Sequence, residues 1–399
     1  MPADNFFKYL LLKLRRFCGF LCGFVFFISG ILKLMDPVGA GLVMKEYLDF
    51  LHIVFLSWAA KGLGVGFALL ETIIGTALIT GVWRKLTAIV AWALQGFFTV
   101  LTLILVIFNP VMDCGCFGEA IHLSHLQTFI KNIILCALLS FAFIPLRNLG
   151  RPKPRKFVSF GIVTVSVLAF TVYSLMYIPL DDFTDFKPGV GLEAAAEGDG
   201  GAEVYESVFV YEKDGRQQEF SLEELPDSTW TYVSTSTIKK SGTDRARASL
   251  SFYNLEGEYK DSLATEGNVM IISIYKEKLS EKKWARIRSF ISAATDAGFT
   301  PIILTSSAAI AAQGDSNGAK TYLCDYKTLI TMNRSNGGAS WFSQGYLIKK
   351  WGIRSLPDGT EMKEIISGNP TETVLENYSG GYLLFQGFLL YVFAVMLLL

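Results

Sequence analysis

The chain alternates long apolar runs with short polar connections over its first 180 residues, and it ends on one more apolar run. A helix needs about 20 apolar residues to cross roughly 30 Å of hydrocarbon. Runs of that length predict six transmembrane helices, at about 17–35, 62–80, 86–108, 126–146, 157–179 and 381–399. The pattern therefore predicts a membrane protein with one long polar segment, from about 180 to 380.

Basic residues collect before the first run, between the second and third runs, and between the fourth and fifth runs. They are Lys8, Lys13, Arg15 and Arg16, then Arg84 and Lys85, then Arg147, Arg151, Lys153, Arg155 and Lys156. By the positive-inside rule these three segments are cytoplasmic. In a bacterial inner membrane the N-terminus is then cytoplasmic, and residues 36–61, 109–125 and 180–380 are predicted to be periplasmic.

Composition narrows the function classes. The chain has 399 residues, 36 basic and 36 acidic, and 51% of it is hydrophobic. With no net charge and no long basic face, nucleic-acid binding is excluded, whereas contact with a lipid bilayer is expected. Six cysteines are too few for a disulfide scaffold in a chain of this length, so their positions matter more than their number.

The polar segment divides into two parts. Residues 180–265 open with a Gly- and Ala-rich stretch at 189–203, which is typical of a linker, and continue as a small β-rich segment with a hairpin expected to turn at Asp214 and Gly215. Residues 266–367 give the order β-α-β-α-β-α-β-β, which predicts an α/β or α+β sheet covered on both faces.

The order of elements in 266–367 resembles a thioredoxin-like fold. A thioredoxin carries Cys-x-x-Cys after its first strand, but this chain has "YKEKLSEKKW" there, and Gly337 and Gly338 stand where a cis-proline is usual. We therefore expect a redox-inactive thioredoxin-like domain used for binding or packing. Its cysteine, Cys324, is expected to be a buried apolar side chain.

Two cysteines lie in the short connection "NPVMDCGCFGEAIHLSHLQTF", residues 109–129. Cys114 and Cys116 could form a disulfide only as a very small ring, and a strained, exposed disulfide is an oxidant. His122 or His125 could lower a thiol pKa or carry a proton. Ser124 and Gln127 have the spacing of a capping box, which predicts that the next helix starts here.

Three interpretations of this connection stay open: a thiol redox pair, a structural turn or disulfide, and a metal site. The metal site would use the two cysteines and two histidines, with Asp113, Glu119 or His52 in reserve. Zinc sites favour other spacings, so no metal ligand is assigned. The remaining cysteines, Cys18, Cys22 and Cys136, are expected to pack inside helices.

Glu71 lies in the middle of the second predicted span. A charged group there is costly unless it is paired or neutral, which makes Glu71 a functional candidate. Lys33 could form an ion pair with it; alternatively, a protonated Glu71 could bond to Gln95 or Thr72. With Asn132, these residues predict a polar seam inside the bundle. Glu71 itself is expected to have either a structural hydrogen bond or a proton or quinone role.

Residues 20–146 resemble the DoxX/MauE family of four-helix membrane bundles. "FVFFISGILKLMDPVGAGLVMKEYLDF" is similar to the family's first helix, and "DCGCFGEAIHLSHLQTFIKNIIL" to its Cys-x-Cys-Phe-Gly loop and following helix. MauE is implicated in methylamine utilisation, as a maturation protein thought to help a dehydrogenase subunit form disulfides, and its bundle is likened to vitamin K epoxide reductase. The resemblance implies that Cys114 and Cys116 are the redox pair.

These observations define the expected architecture: a DoxX/MauE-like bundle at 1–150, a fifth span at 157–179, a linker and β-rich segment at 180–265, a thioredoxin-like domain at 266–367, and a final span at 381–399. The leading hypothesis is a thiol-disulfide oxidoreductase or maturation factor for periplasmic client proteins, with quinone as candidate acceptor and Cys114, Cys116, Glu71, His122 and His125 as site residues. The alternatives are a non-enzymatic scaffold that recruits a partner and a metal-binding loop.

Overall fold

A computed structural model describes residues 3–110, 114–144, 146, 152–193, 204–213, 216–220, 230–240, 247–315 and 318–398. The membrane part contains helices α1 (Ala3–Met35), α2 (Pro37–Phe50), α3 (Ala60–Thr80), α4 (Arg84–Phe108), α5 (His125–Phe143) and α6 (Pro154–Met176), with a 3-10 turn at Val54–Ala59. Helix α11 (Pro370–Leu398) is the last element.

Within the described residues, six helices are long and apolar enough to cross a bilayer, which confirms the six predicted runs. They are Tyr9–Met35, Val54–Thr80, Arg84–Phe108, His125–Phe143, Pro154–Met176 and Pro370–Leu398. The short helix α2 is the exception, because 14 residues at 1.5 Å each span only about 21 Å. It occupies the connection between the first two spans.

Local sequence sets where these helices begin and end. The Asp36 carboxylate accepts hydrogen bonds from the amides of Val38 and Gly39 and starts α2, with Pro37 in its first position. Gly81, with φ +74°, ends α3. The predicted capping box is confirmed, since Ser124 and Gln127 bond to each other's backbone at the start of α5.

Helix α1 packs closely along α3. A Cβ on Gly30 would lie 2.2 Å from Thr72 Oγ1, and one on Gly75 would lie 2.4 Å from the Phe27 amide nitrogen, so only glycine permits this approach. Helices α6 and α11 pack beside this pair. Lys156 Nζ donates to the Met396 carbonyl oxygen at 2.9 Å, which joins the ends of α6 and α11.

An eight-stranded mixed sheet forms the second part, here named the sheet domain. Its strands are β2 (Gly191–Leu192), β6 (Arg247–Ala248), β7 (Phe252–Tyr253), β8 (Asn268–Ile274), β9 (Thr300–Thr305), β10 (Lys320–Cys324), β11 (Gly338–Ser343) and β12 (Tyr346–Trp351), in the order β6-β2-β12-β11-β8-β9-β10-β7. Strands β8, β9 and β10 are parallel, and β11 runs antiparallel to β8.

Helices α7 (Glu281–Asp296), α8 (Ala308–Ala311), α9 (Tyr326–Met332) and α10 (Gly359–Ser367) connect and follow these strands. The predicted order β-α-β-α-β-α-β-β is thereby confirmed. Strand β8 alternates its side chains between two apolar cores, Val269 and Ile271 in one, Met270 and Ile272 in the other. The sheet also extends beyond residues 266–367, because β2, β6 and β7 come from the segment before them.

Strands β3 (Val204–Lys213), β4 (Arg216–Phe220) and β5 (Thr231–Lys240) form a separate three-stranded sheet. Lys213 stands opposite Arg216 in the antiparallel β3–β4 pair, as the predicted hairpin requires. Asp214 and Gly215, the predicted turn, lie outside the described residues, as do positions 194–203 of the predicted linker.

The bundle and the sheet domain share a core. Val38 and Leu42 of α2 pack against the apolar cluster that includes Leu329 and Met332 of α9. The sheet domain therefore packs on the short helix α2. This contact lies at the same end of the bundle as the connection between α4 and α5.

Candidate functional site

The cysteine loop, residues 114–124, is the part of the α4–α5 connection that leads into α5. It contains the short strand β1 (Cys116–Glu119). Gly115 and Gly118 adopt φ +59° and +62°, a region that favours glycine. A Cβ on Gly115 would lie 2.2 Å from Val43 Cγ1 of α2. Glycine between the two cysteines therefore lets the loop lie directly against α2.

Two hydroxyl groups hold the loop backbone. Tyr47 of α2 donates to the Cys114 carbonyl oxygen at 2.6 Å, and Ser29 of α1 donates to the Cys116 carbonyl oxygen at 2.6 Å. Burial first, and then the neighbouring Cys116 and Cys114, raise the pKa of Tyr47, so its phenol stays a donor. Cys114 is buried, Cys116 is half-buried, and both are thiols in this structure.

Beneath the loop, Lys33 and Glu71 form an ion pair, with Nζ 2.7 and 2.9 Å from the two carboxylate oxygens. Their side chains are 15% and 4% exposed. Ser29 Oγ lies 3.1 Å from Glu71 Oε2 and joins the pair to the loop. Of the alternatives for Glu71, the structure contains the ion pair with Lys33.

The predicted polar seam lies beside this pair. Gln95 donates to the Asn132 carbonyl oxygen at 3.2 Å, and Asn132 Nδ2 donates to Thr102 Oγ1 at 3.1 Å. Thr72 donates to its own helix, at the Ala68 carbonyl oxygen. Neither Gln95 nor Thr72 is a partner of Glu71 in these hydrogen bonds.

The loop and the seam enclose a cavity of about 290 Å³ between α1, α2, α3, α4 and α5. Most of its wall is apolar, from side chains such as Phe26, Met44 and Leu135. Its polar lining consists of Ser29, Lys33, Tyr47, Glu71, Gln95, Thr102, Lys131, Asn132, Cys114 and Cys116. Both thiols and the candidate Glu71 thus share one cavity.

Lys131 of α5 contributes a cation to this wall. Its Nζ lies 4.8 Å from the centre of the Phe117 ring. Among the described residues, no carboxylate lies within ion-pair distance of Lys131. Because Glu71 neutralises Lys33, Lys131 leaves the lining with one excess positive charge.

Two aromatic side chains, Phe67 of α3 and Phe97 of α4, belong to the cavity wall between these helices. Phe67 of α3 and Phe97 of α4 stack with ring centres 6.0 Å apart and planes 10° apart, and both line the cavity. Phe97 is 50% exposed on the face where α4 presents other apolar side chains. The cavity wall therefore includes a side chain that is half exposed on the outer surface of α4.

The two candidate histidines are not part of the cavity wall. His122 is exposed, and His125 lies at the first turn of α5 with Nδ1 3.2 Å from Asn109 Oδ1. The described residues contain no group of three His, Cys, Asp or Glu side chains arranged for a metal ion. Asp113 lies outside the described residues, and His52 is exposed at the end of α2.

Above the cavity, Arg334 of the sheet domain contacts the bundle. Its Nε lies 2.8 Å from Asp36 Oδ2 and its Nη2 lies 3.0 Å from Glu119 Oε1. Burial lowers the pKa of Arg334, but Asp36, Glu119 and Asp182 outweigh it, and the net shift is upward. The guanidinium is therefore a fixed positive charge over the loop.

Sequence reasoning missed Ser29, Tyr47, Lys131 and Arg334. The sequence could have indicated Lys131, because it is a cation inside a predicted span. It could also have indicated Ser29, because that residue lies one helical turn before Lys33. Nothing in the sequence around Tyr47 or Arg334 indicates their partners. Those contacts depend on how distant segments meet.

Comparison with known families matches two segments. Residues 9–145 match the family model described as methylamine utilisation protein MauE, and residues 205–241 match a domain of unknown function, DUF8463. Comparison with curated proteins and with solved structures returns no match. The first segment covers α1 to α5 with the cysteine loop, so the chain is a membrane protein with a MauE-like bundle.

Proposed function

We propose that this membrane protein with a MauE-like bundle is a thiol-disulfide oxidoreductase that acts on periplasmic client proteins and passes the electrons to a quinone. The observation that carries the proposal is the common cavity: both thiols line it together with an ionisable seam, and so does Phe97, which is half exposed on the outer face of α4. A redox pair with access to a lipid-soluble acceptor needs this arrangement.

The reaction has two balanced steps. A client dithiol reduces the Cys114–Cys116 disulfide, which leaves a client disulfide and two loop thiols. The loop dithiol then gives two electrons and two protons to the quinone, which leaves as quinol while the loop disulfide re-forms. A disulfide across a single glycine is strained, and such disulfides are oxidising, which favours the first step.

Burial assigns different roles to the two cysteines. Cys116 is half-buried and is the sulfur that a client thiolate reaches first. Cys114 is 5% exposed and serves the step toward the cavity. His122 and His125 remain candidates for proton transfer at the outer face, since neither lines the cavity.

The acceptor site follows from the charge of the wall. A quinone oxygen gains negative charge on reduction, and the Lys131 ammonium can donate to that oxygen and stabilise the charge. The apolar wall suits the ring, and an isoprenoid tail would leave the cavity past the half-exposed side chain of Phe97. Glu71 lies within reach of the Ser29 hydroxyl and is the candidate for proton exchange in the bundle.

The sheet domain supports a role in binding. A thioredoxin-like fold for this domain is part of the proposal, and the strand order β9-β8-β11-β12, with β8 and β9 parallel, supports it. After β8 the chain reads Tyr275-Lys276-Glu277-Lys278, without a thiol. In this proposal the domain faces the periplasm, the N-terminus is cytoplasmic, and thiol chemistry stays with the cysteine loop.

The test is the redox state of the pair in intact cells, by differential alkylation and mass spectrometry, with and without respiratory quinone. We expect a disulfide that becomes reduced when quinone is withdrawn. Cys114→Ser or Cys116→Ser should abolish client oxidation, whereas Cys324→Ala, a matched loss of one thiol, should retain it. A pair that never changes redox state would contradict the proposal and favour a structural loop in a membrane scaffold.

A further inference from the structure

A buried arginine of the sheet domain contacts the cysteine loop and α2 of the bundle. Arg334 follows α9, and its side chain is 5% exposed. Its three nitrogen atoms each have an acceptor: Nε bonds to Asp36, Nη2 to Glu119, and Nη1 to the Ile330 carbonyl oxygen at 3.2 Å. The bond to Ile330 holds the guanidinium against α9, so its two other donor nitrogens keep a fixed direction.

The two carboxylates belong to the segments that hold the thiols. Glu119 ends β1, which begins at Cys116. Asp36 caps α2, which carries Tyr47, the donor to the Cys114 carbonyl oxygen. One guanidinium therefore connects the cysteine strand to the helix on which that strand rests.

The geometry requires arginine. Two carboxylates approach from different sides, and a planar fork donates to both at once, whereas the single ammonium of lysine is a point charge. The contact is also buried, so loss of the cation leaves carboxylates without their partner, which is far more costly than loss of an exposed pair.

We propose that Arg334 is a positioning residue that clamps the cysteine loop onto α2, so that the sheet domain tunes the exposure and the redox equilibrium of Cys114 and Cys116. This deepens the function proposed above, in which the pair exchanges electrons. Without the clamp the strand can move away from α2. A looser loop exposes Cys116 and accommodates the disulfide with less strain, which makes the pair a weaker oxidant.

The experiment compares Arg334→Met, Arg334→Lys and Glu119→Gln with the wild type in the full chain, in lipid nanodiscs. The matched control is Lys327→Met, which removes a different ion pair between the two parts, Lys327–Glu46 at 3.4 Å. Lys327 lies on α9, shortly before Arg334 in the chain, but its side chain is 77% exposed and its partner is not on the loop.

Two quantities are measured: the alkylation rate of Cys116 in the reduced protein, and the equilibrium constant of the pair with glutathione. For Arg334→Met we expect about tenfold faster alkylation and an equilibrium shifted about tenfold toward the loop disulfide, which corresponds to about 30 mV. Arg334→Lys and Glu119→Gln should give smaller shifts in the same direction, and Lys327→Met none.

Cys324 reports whether the sheet domain is still folded, because it is buried in the domain core and reacts only on unfolding. If Arg334→Met exposes Cys324, the sheet domain has unfolded, and the Glu119→Gln variant then becomes the test of the clamp. Wild-type alkylation and exchange in both variants, with Cys324 protected, would overturn the clamp. Neither readout needs turnover. A wild-type pair that never cycles with quinone would therefore contradict the proposed function, while alkylation and the glutathione equilibrium would still test the clamp.

Discussion

Cys116 and Cys324 both lie in short strands, yet their surroundings are opposite. Cys116 begins β1, is half-buried, and borders a cavity with Lys33, Glu71 and Lys131. Cys324 ends β10 inside an apolar cluster, where burial first and then Asp325 raise its pKa to about 12. The difference shows that a thiol becomes a candidate for chemistry through its neighbours, since only the thiolate is reactive.

The same contrast separates the two parts of the molecule. The bundle places charged and polar groups next to a cysteine loop, around one cavity. The sheet domain fills both faces of its sheet with apolar side chains and directs a buried arginine at that loop. In the proposed function, the bundle carries the reactive groups and the sheet domain holds them in place.

The largest expected effect comes from breaking the ion pair below the loop. Lys33→Met leaves the Glu71 carboxylate buried without its cation, and such a loss costs about 3–5 kcal/mol. Thermal unfolding in detergent should show a strongly lowered Tm. The double variant Lys33→Met with Glu71→Gln should recover most of it; equal destabilisation in the single and double variants would show that the charge is not the cause.

The second effect concerns the glycine between the cysteines. In Gly115→Ala the new Cβ meets Val43, in addition to a backbone strain of about 1–3 kcal/mol for a non-glycine residue at positive φ. Gly118→Ala is the matched control, because its φ is similar but its nearest neighbour would be 3.7 Å away. Cys116 alkylation should accelerate more in Gly115→Ala, and equal rates would contradict the close packing on Val43.

A smaller effect is expected for Tyr47→Phe, which removes the hydrogen bond to the Cys114 carbonyl oxygen. The cost is about 0.5–1.5 kcal/mol. Since the pKa of Tyr47 is raised, its phenol is protonated at neutral and moderately alkaline pH. The difference in unfolding free energy between the variant and the wild type should therefore be the same at pH 7 and pH 9, and a difference that vanishes at pH 9 would contradict the raised pKa.

The smallest effect near neutral pH comes from Cys324. Its pKa is raised from 9.0 in the unfolded chain to about 12 in the folded one, so burial of the neutral thiol stabilises the fold fully below pH 9. That contribution is lost as the pH rises from about 9 to about 12. Wild type should lose more stability between pH 8 and pH 11 than Cys324→Ala, and parallel curves would contradict the assignment.

Local patterns predicted the elements well. Apolar run length identified the six spans, the Ser124 and Gln127 spacing identified the start of α5, and the order of elements in residues 266–367 identified β8 to β12 of the sheet domain. Lys33 and Glu71 were also named together, because two opposite charges in adjacent spans have few other partners. These features depend on neighbours in sequence or on the cost of a charge in lipid.

The assembly of the site was less predictable. The histidines were grouped with the thiols because they share one short connection, but the start of α5 places His125 beside Asn109, and His122 is exposed. Arg334 could not be connected to Glu119, because the two lie 215 positions apart and their meeting depends on how the sheet domain sits on α2. Local periodicity contains no information about such docking.

Asp36 has consequences for the order in which the protein is made. One of its oxygens caps α2 as soon as that helix forms, while the other accepts from Arg334, which the ribosome adds 298 residues later. The cysteine loop is therefore synthesised long before the arginine that closes over it. Each new molecule passes through an interval before Arg334 is available to Asp36 and Glu119, so a residue translated late completes the surroundings of segments translated early.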